Sequence, residues 1–386
     1  MFHIHVEFDD NEGAPRRDAL RDFGFDESFL RDYLAEAELG DAPGRVVEVQ
    51  RGRCTAVTRG RDGSLSEVEA VVSGRFLHEA ESAAELPAVG DWVVLRPSEG
   101  GAAQLRSVLP RRSAFARRAA GVAEDRAEAQ VLAANVDTAF IVAAAGRDWN
   151  PRRVERYVTL AYEAGVEPVL VVTKADLAED AEGLAAEAAA LSPGLASALV
   201  CAPEGRGLEC LKAWLRPGKT VVLLGSSGAG KSTLLNALAG RELADTGSVR
   251  ADDERGRHTT THRELYRLDS GALVIDNPGL REVGIYAGEE SLQAAFADIE
   301  ALAAECRFRD CAHGSEPGCA VRAALESGEL DKGRYSGWLK LGREIAHMNA
   351  QPGSAEQRAR DARWKAINKS MRGYTKERRS IQGRAR

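Results

Sequence analysis

The run Gly225-Ser226-Ser227-Gly228-Ala229-Gly230-Lys231-Ser232 has the composition of a phosphate cradle. Its glycines let the backbone wrap so that N–H groups point inward at anionic oxygens. Lys231 then neutralises the β/γ-phosphates and the Ser232 hydroxyl is suited to Mg²⁺. The apolar stretch Val221–Leu224 reads as a buried parallel strand feeding this loop. Thr233, Leu234, Leu235 and Leu238 mark the helix that follows, whose N-terminal dipole faces the anion. A second apolar run, Ala272–Ile275, ends in Asp276-Asn277-Pro278-Gly279. Asp276 is expected to hold the Mg²⁺ shell and the Gly279 N–H to sense the γ-phosphate.

Thr173-Lys174-Ala175-Asp176 follows the strand-like Glu167–Val172. A carboxylate there can accept both N1–H and the exocyclic amine of guanine, with the lysine stem along the base. Adenine offers neither donor, so Asp176 favours GTP and GDP and disfavours a P-loop ATPase or kinase. Alone this tetrapeptide is weak, because an Asp-capped turn looks the same. Cys201-Ala202 falls where backbone N–H groups would meet the guanine O6. The polar loop Asp252–His262, DDERGRHTTTH, has the character of a switch segment. Thr260 or Thr261 is expected to reach Mg²⁺ there and release it after hydrolysis. Residue 280 is leucine, which cannot orient a water by hydrogen bonding, so intrinsic hydrolysis should be slow. His258, in the switch loop, is the candidate that assists instead, beside Lys231, Thr260 and Thr261. Leu280 also keeps open a nucleotide-switched RNA-binding module with negligible hydrolysis.

Cys306, Cys311, His313 and Cys319 form the one dense group among six cysteines. Three thiolates and an imidazole close a tetrahedral site with no position left for water, the pattern of one structural Zn²⁺. Cys54, Cys201 and Cys210 are scattered and read as structural fillers.

The elements around these groups alternate β and α from Thr138 onward, which implies a parallel sheet with helices on its faces. Before it, residues 45–110 hold short β-type runs separated by turns, the pattern of a small five-stranded OB barrel. Arg45, Arg51, Arg53, Arg59, Arg61 and Arg75 are mixed into it. They would line a groove tracking a nucleic-acid backbone or form a solvated rim. Residues 1–44 read as a peripheral extension with one or two short amphipathic helices over 20–34. Arg111–Asp125 reads as a linker or mobile loop. Residues 111–285 make the nucleotide domain, and 286–350 a mainly helical zinc-binding domain, with helices over Leu292–Ala304, Ala320–Leu325 and Lys332–Met348. Residues 351–386 form a basic tail. Eleven basic against three acidic side chains from Glu356 onward leave the tail at +8 and the rest of the chain at −15, within a total of −7. With Trp364 and Tyr374 interspersed, the tail suits RNA phosphates and stacked bases. No apolar run approaches the ~20 residues of a membrane span. The acidic start lacks a signal pattern, so a cytoplasmic protein with no membrane partner is expected.

In most GTPases the phosphate loop precedes the base-reading motif. Here Asp176 precedes Gly225, so the parts are circularly permuted. QVLAANVD, TKAD, GSSGAGKS, GRHTTTH, DNPGL and CRFRDCAHGSEPGCAV, in that order between Arg45 and Glu326, resemble the circularly permuted GTPases of the RsgA type, which act in small ribosomal subunit biogenesis. The resemblance implies an α/β P-loop GTPase domain between an N-terminal OB barrel and a C-terminal zinc domain. It also implies GTP hydrolysis with Mg²⁺, stimulated by the small ribosomal subunit and its rRNA, and a histidine in the GRH segment that assists, here His258. A monomer is expected. Thr173 stands where the family usually has asparagine, implying a looser tie between base loop and P-loop. Asn277 replaces a serine or threonine without expected consequence.

Overall fold

Aromatic residues near the N-terminus do more than decorate the surface. A single helical turn, Ala19–Phe23, is followed by α1 (Glu27–Glu36), whose Asp26 cap accepts from the Ser28 and Phe29 N–H groups. Leu20, Phe23, Phe25 and Phe29 are all buried, and the rings of Phe25 and Phe29 pack 4.7 and 5.8 Å from Trp92. The segment expected to be peripheral is therefore part of the core. This computed structural model describes residues 19–118, 129–244, 264–276 and 288–350, apart from Arg51, Arg61, Asp62, Glu81 and Glu99.

Strands β1 (Ala42–Gln50), β2 (Arg53–Arg59), β3 (Leu65–Val72), β4 (Trp92–Arg96) and β5 (Ala103–Val108) close a barrel in the order 1-2-3-5-4-1. β3 and β5 pair in parallel, and α2 (Gly74–Glu79) bridges β3 to β4. This is the OB arrangement. Small and aliphatic residues, among them Val46, Ala56, Ala70, Val93 and Leu105, fill the barrel.

Arg45 corrects the reading of the barrel arginines as groove or rim. Its side chain is buried, donating to Phe23 O (2.9 Å), Asn135 O (3.2 Å) and Thr220 Oγ1 (3.2 Å). Burial pulls its guanidinium down to about 10. It ties N-terminal segment, barrel and α/β sheet together. Arg111 is buried as well, in a bidentate pair with Asp91 at 2.7 Å. The expected linker is thus partly ordered: Ala114–Arg118 is strand β6, paired antiparallel with β7 (Ala129–Ala134). Alanines on both strands pack closely, but their weak hydrophobic contrast hides the strand period.

The α/β unit contains β8 (Thr138–Ala144), α3 (Pro151–Glu163), β9 (Glu167–Thr173), α4 (Ala181–Ala190), β10 (Ala196–Leu199), β11 (Thr220–Leu224), α5 (Lys231–Ala239), β12 (Glu264–Arg267) and β13 (Leu273–Asp276). Spatial order is β10-β9-β8-β11-β13-β12, parallel except for β12. All five residues of β11 are buried, as a central strand requires. One pair, Glu48 with Glu264, joins β12 to β1, so barrel and sheet are continuous.

Among the described residues four helices follow: α6 (Glu289–Ala295), α7 (Ala297–Ala304), α8 (Ala320–Ser327) and α9 (Lys332–Ala350). The single helix expected over 292–304 breaks at Phe296, whose backbone leaves the helical region (φ −120°, ψ 40°) while its ring is fully buried beneath the Arg334 guanidinium. An ionic seam fastens these helices to α3. Arg334, itself buried, donates to Asp298 (2.5 and 2.6 Å), Glu155 (3.1 Å) and Leu191 O (2.5 Å). Arg152 pairs with Asp331 at 2.6 Å and Arg156 with Glu344 at 2.8 Å. Burial pushes the Glu155 carboxyl up despite its arginine partners. Among the described residues no helix is long and apolar enough to cross a membrane.

Candidate functional site

Strand β11 delivers Gly225 to the C-terminal edge of the sheet, where open parallel sheets bind ligands. A side chain at Gly225 is impossible: its φ is +148°, and a Cβ would lie 2.3 Å from Val142 O on β8. The loop therefore runs tightly over the neighbouring strand before entering α5. Lys231 is buried, and its Nζ donates to Gly225 O (2.9 Å) and Ser226 O (2.6 Å), spanning the loop from within. Ser232 and Thr233 follow in the first turn of α5. Ser227, Gly228, Ala229 and Gly230 complete the wrap, and the backbone donors ahead of α5 are those that a phosphate would take up.

The TKAD segment comes from β9, two strands away. Thr173 is its last strand residue, and its hydroxyl donates to Ala229 O at 2.6 Å while touching the Gly230 side of the loop. Threonine thus supplies a bond between the TKAD turn and the P-loop. Lys174 adopts a left-handed conformation (φ +54°), which turns the chain sharply so that Asp176 stands exposed on a tight helical turn. Ala175 N donates to Val200 O at 3.2 Å, bracing this turn against the end of β10. There the Asp176 carboxylate accepts from the Cys201 thiol and pushes it above its ordinary range. Asp176 and the Cys201-Ala202 turn, separated by 25 residues, are thus brought side by side.

Asp276 ends β13 in register with Leu223, two residues before Gly225. His258, Thr260, Thr261, Asn277, Gly279 and Leu280 lie outside the described residues. One neighbour of the loop left no trace in the sequence. Arg153, on the first turn of α3 and exposed, donates from Nη1 to Ser226 Oγ at 3.1 Å. No spacing rule links residues 73 positions apart.

The second constellation closes on itself between α7 and α8. Ligand atoms of Cys306, Cys311, His313 and Cys319 all lie within 4.8 Å of one another, with His313 Nδ1 3.6 Å from Cys306 Sγ and 3.5 Å from Cys319 Sγ. His313 takes a left-handed backbone (φ +59°) to reach inward. Glu316 braces the loop through the Ala312 and Gly314 N–H groups, and Trp338 covers the imidazole at 5.8 Å. Cys319 also caps α8, its Sγ accepting from Arg322 N at 3.4 Å. Burial works against a thiolate at Cys306. The Val321 and Ala320 N–H groups, with the thiols of Cys319 and Cys311, outweigh it and hold the group below its ordinary range. This donor set, pre-arranged and supplied with N–H bonds to sulfur, fits a bound metal ion.

The RsgA GTPase family model matches residues 108–286. A protein of Opitutus terrae named small ribosomal subunit biogenesis GTPase RsgA is 45% identical over 95% of this chain and 99% of its own length. The chain belongs to the RsgA GTPase family. A Streptomyces coelicolor protein of the same name is 41% identical, over 92% of this chain and 96% of its own. Among solved structures, YjeQ of Thermotoga maritima superposes with a TM-score of 0.57 at 26% identity, covering 79% of this chain and 99% of that one. YloQ, described as a circularly permuted GTPase, gives 0.57 at 25% identity over 83% and 99%. As an RsgA GTPase the chain is a GTP hydrolase, and its element order explains the permutation. The strand that ends in TKAD, β9, comes first in sequence and the P-loop strand β11 later, yet β8 alone separates them in the sheet.

Proposed function

We propose that this protein binds GTP with Mg²⁺ between the P-loop and Asp176, hydrolyses it, and acts on the maturing small ribosomal subunit through contacts with its rRNA. The observation that carries the reading is the joining of two motifs by Thr173: the loop for phosphates and the turn for guanine are one hydrogen-bonded unit. The names of the relatives support the ribosomal role. In this reading Gly225–Ser232 and Thr233 enclose the phosphates, and Lys231 neutralises them. Thr173, Lys174 and Asp176 hold and read the base. Ser232 and Asp276 carry the Mg²⁺, joined by Thr260 or Thr261. Gly279 senses the γ-phosphate, and His258 assists hydrolysis. The ion supplies charge neutralisation at the β/γ-phosphates. The chain divides into an extension (1–44), barrel (45–110), GTPase (111–285), zinc-binding (286–350) and tail (351–386) segments. It works as a cytoplasmic monomer.

The test is a single-turnover hydrolysis assay with and without purified small subunits. Stimulation of about 10³-fold or more, the scale on which activators act in related GTPases, is the expected result. Unchanged rates at saturating subunit would favour the second reading, a nucleotide-switched RNA-binding module with negligible hydrolysis, which Leu280 supports.

The ion at Cys306, Cys311, His313 and Cys319 is assigned as zinc in a closed structural site. Sulfur–zinc bonds of about 2.3 Å in a tetrahedron separate sulfurs by about 3.8 Å. The Cys306–Cys319 separation is 3.9 Å. Cys311→Ser is expected to lower metal content well below one per chain and to expose the α7–α8 region to protease, while GTP affinity survives because the Arg334–Glu155 and Arg156–Glu344 pairs still hold α9 on α3. Wild-type protein purified without chelator and found free of zinc would refute the assignment.

A further inference from the structure

Three arginines near the start of α3 face different partners. Arg152 and Arg156 are engaged by carboxylates of the C-terminal helices, Asp331 and Glu344. Arg153 faces the other way, and among the described residues its guanidinium meets only the neutral Ser226 hydroxyl, at 3.1 Å. Ser226 is the second residue of the P-loop, and its carbonyl together with that of Gly225 holds the Lys231 ammonium. Two cationic heads therefore converge on Ser226 of the phosphate cradle, one from inside the loop and one from outside.

We propose that Arg153 is a second cation of the phosphate site, exchanging the Ser226 hydroxyl for a terminal phosphate oxygen when a nucleoside triphosphate is bound. This inference rests on the P-loop assignment made above. A guanidinium has five donors in a fixed fork that matches phosphate, and its hydrogen bond to an anionic oxygen is roughly twice as strong as one to a neutral hydroxyl. The exchange is therefore favourable once a charged oxygen comes within reach. The helix that carries Arg153 does not drift: Glu155, two residues on, is pinned by Arg334, and Asn150 caps the first turn through Arg153 N at 3.1 Å. An exposed side chain on a fixed base can swing to the ligand at little cost beyond its own rotamer freedom. It also gives the seam a route to the chemistry, because α3 carries the Arg334 contact and the phosphate contact within one turn.

The prediction concerns discrimination between nucleotides that differ only in the third phosphate. Arg153→Ala should weaken a non-hydrolysable GTP analogue about tenfold, while GDP affinity stays within about twofold, and Arg153→Lys should recover part of the loss. Retained GDP affinity also shows that the variant folds. Single-turnover hydrolysis should fall with the loss of triphosphate affinity. Equal changes for both nucleotides, or none for either, would overturn the role of Arg153 alone. Wild-type protein that binds neither nucleotide, or Lys231→Ala that binds both as well as wild type, would overturn the P-loop assignment and this inference with it.

Discussion

Asp176→Asn is expected to convert a guanine-reading protein into one that prefers xanthine nucleotides. Asp176 stands exposed on its turn, held by Ala175 N on Val200 O and by the Cys201 thiol, and among the described residues no cation pairs with it. Its carboxylate is thus left to accept from a base. Asparagine keeps one acceptor but presents an amide donor to the guanine amine, losing one charge-assisted bond and adding a donor–donor contact. Such bonds carry about 1.5–3 kcal/mol. The combined loss of about 2–4 kcal/mol corresponds to roughly 30-fold to 1,000-fold in Kd. Xanthine carries an oxygen at C2 and accepts from the new amide, so XTP should gain what GTP loses. The exchange is nearly isosteric and leaves the Cys201 contact an acceptor, so the fold should stay intact. Titration with GTP, XTP and ATP checks it; GTP affinity unchanged by the substitution would remove Asp176 from base recognition.

The parts of this site that depend on short-range chemistry are legible from the sequence. The strands leading to the P-loop and to TKAD are uninterrupted apolar runs because both faces are covered, and the Cys/His cluster lies within a single short span. Long-range bonds leave no such mark. Arg45 looks like any arginine of a basic rim until Phe23, Asn135 and Thr220 come together around it. Phe25 and Phe29 look amphipathic and peripheral, since Trp92, which they pack against, is more than sixty residues away. Strand β6 is hidden for a different reason, because alanine gives little hydrophobic contrast between the two faces. Thr173 teaches the most. Judged by residue type it departs from the usual asparagine, but the bond needs only one donor at that place, and a hydroxyl 2.6 Å from Ala229 O provides it.

His258→Ala is expected to abolish most of the stimulation of hydrolysis by the small subunit, a loss of about 10³-fold or more, while GTP affinity changes less than about twofold. Leu280 cannot orient water. Chemistry must then depend on another group, and the GRHTTTH segment that carries His258 lies in sequence between α5 and β12. β12 pairs with β13, which ends at Asp276 beside the P-loop strand, and also with β1 of the barrel. The strand that follows the segment in sequence is therefore tied on one edge to β13 and on the other to the barrel. On the far side of the loop, α3 carries Arg153 to Ser226 and Glu155 to Arg334 of the C-terminal helices. Docking that engages both barrel and C-terminal region would bear on the nucleotide from two directions. An imidazole brought to the attacking water or to the γ-phosphate in that state acts on the transition state and not on ground-state binding, which is why affinity should survive its removal. The variant should also remain on the subunit in its GTP form. Equal stimulated rates for wild type and His258→Ala at saturating small subunit would exclude the imidazole and assign activation to rRNA or backbone groups.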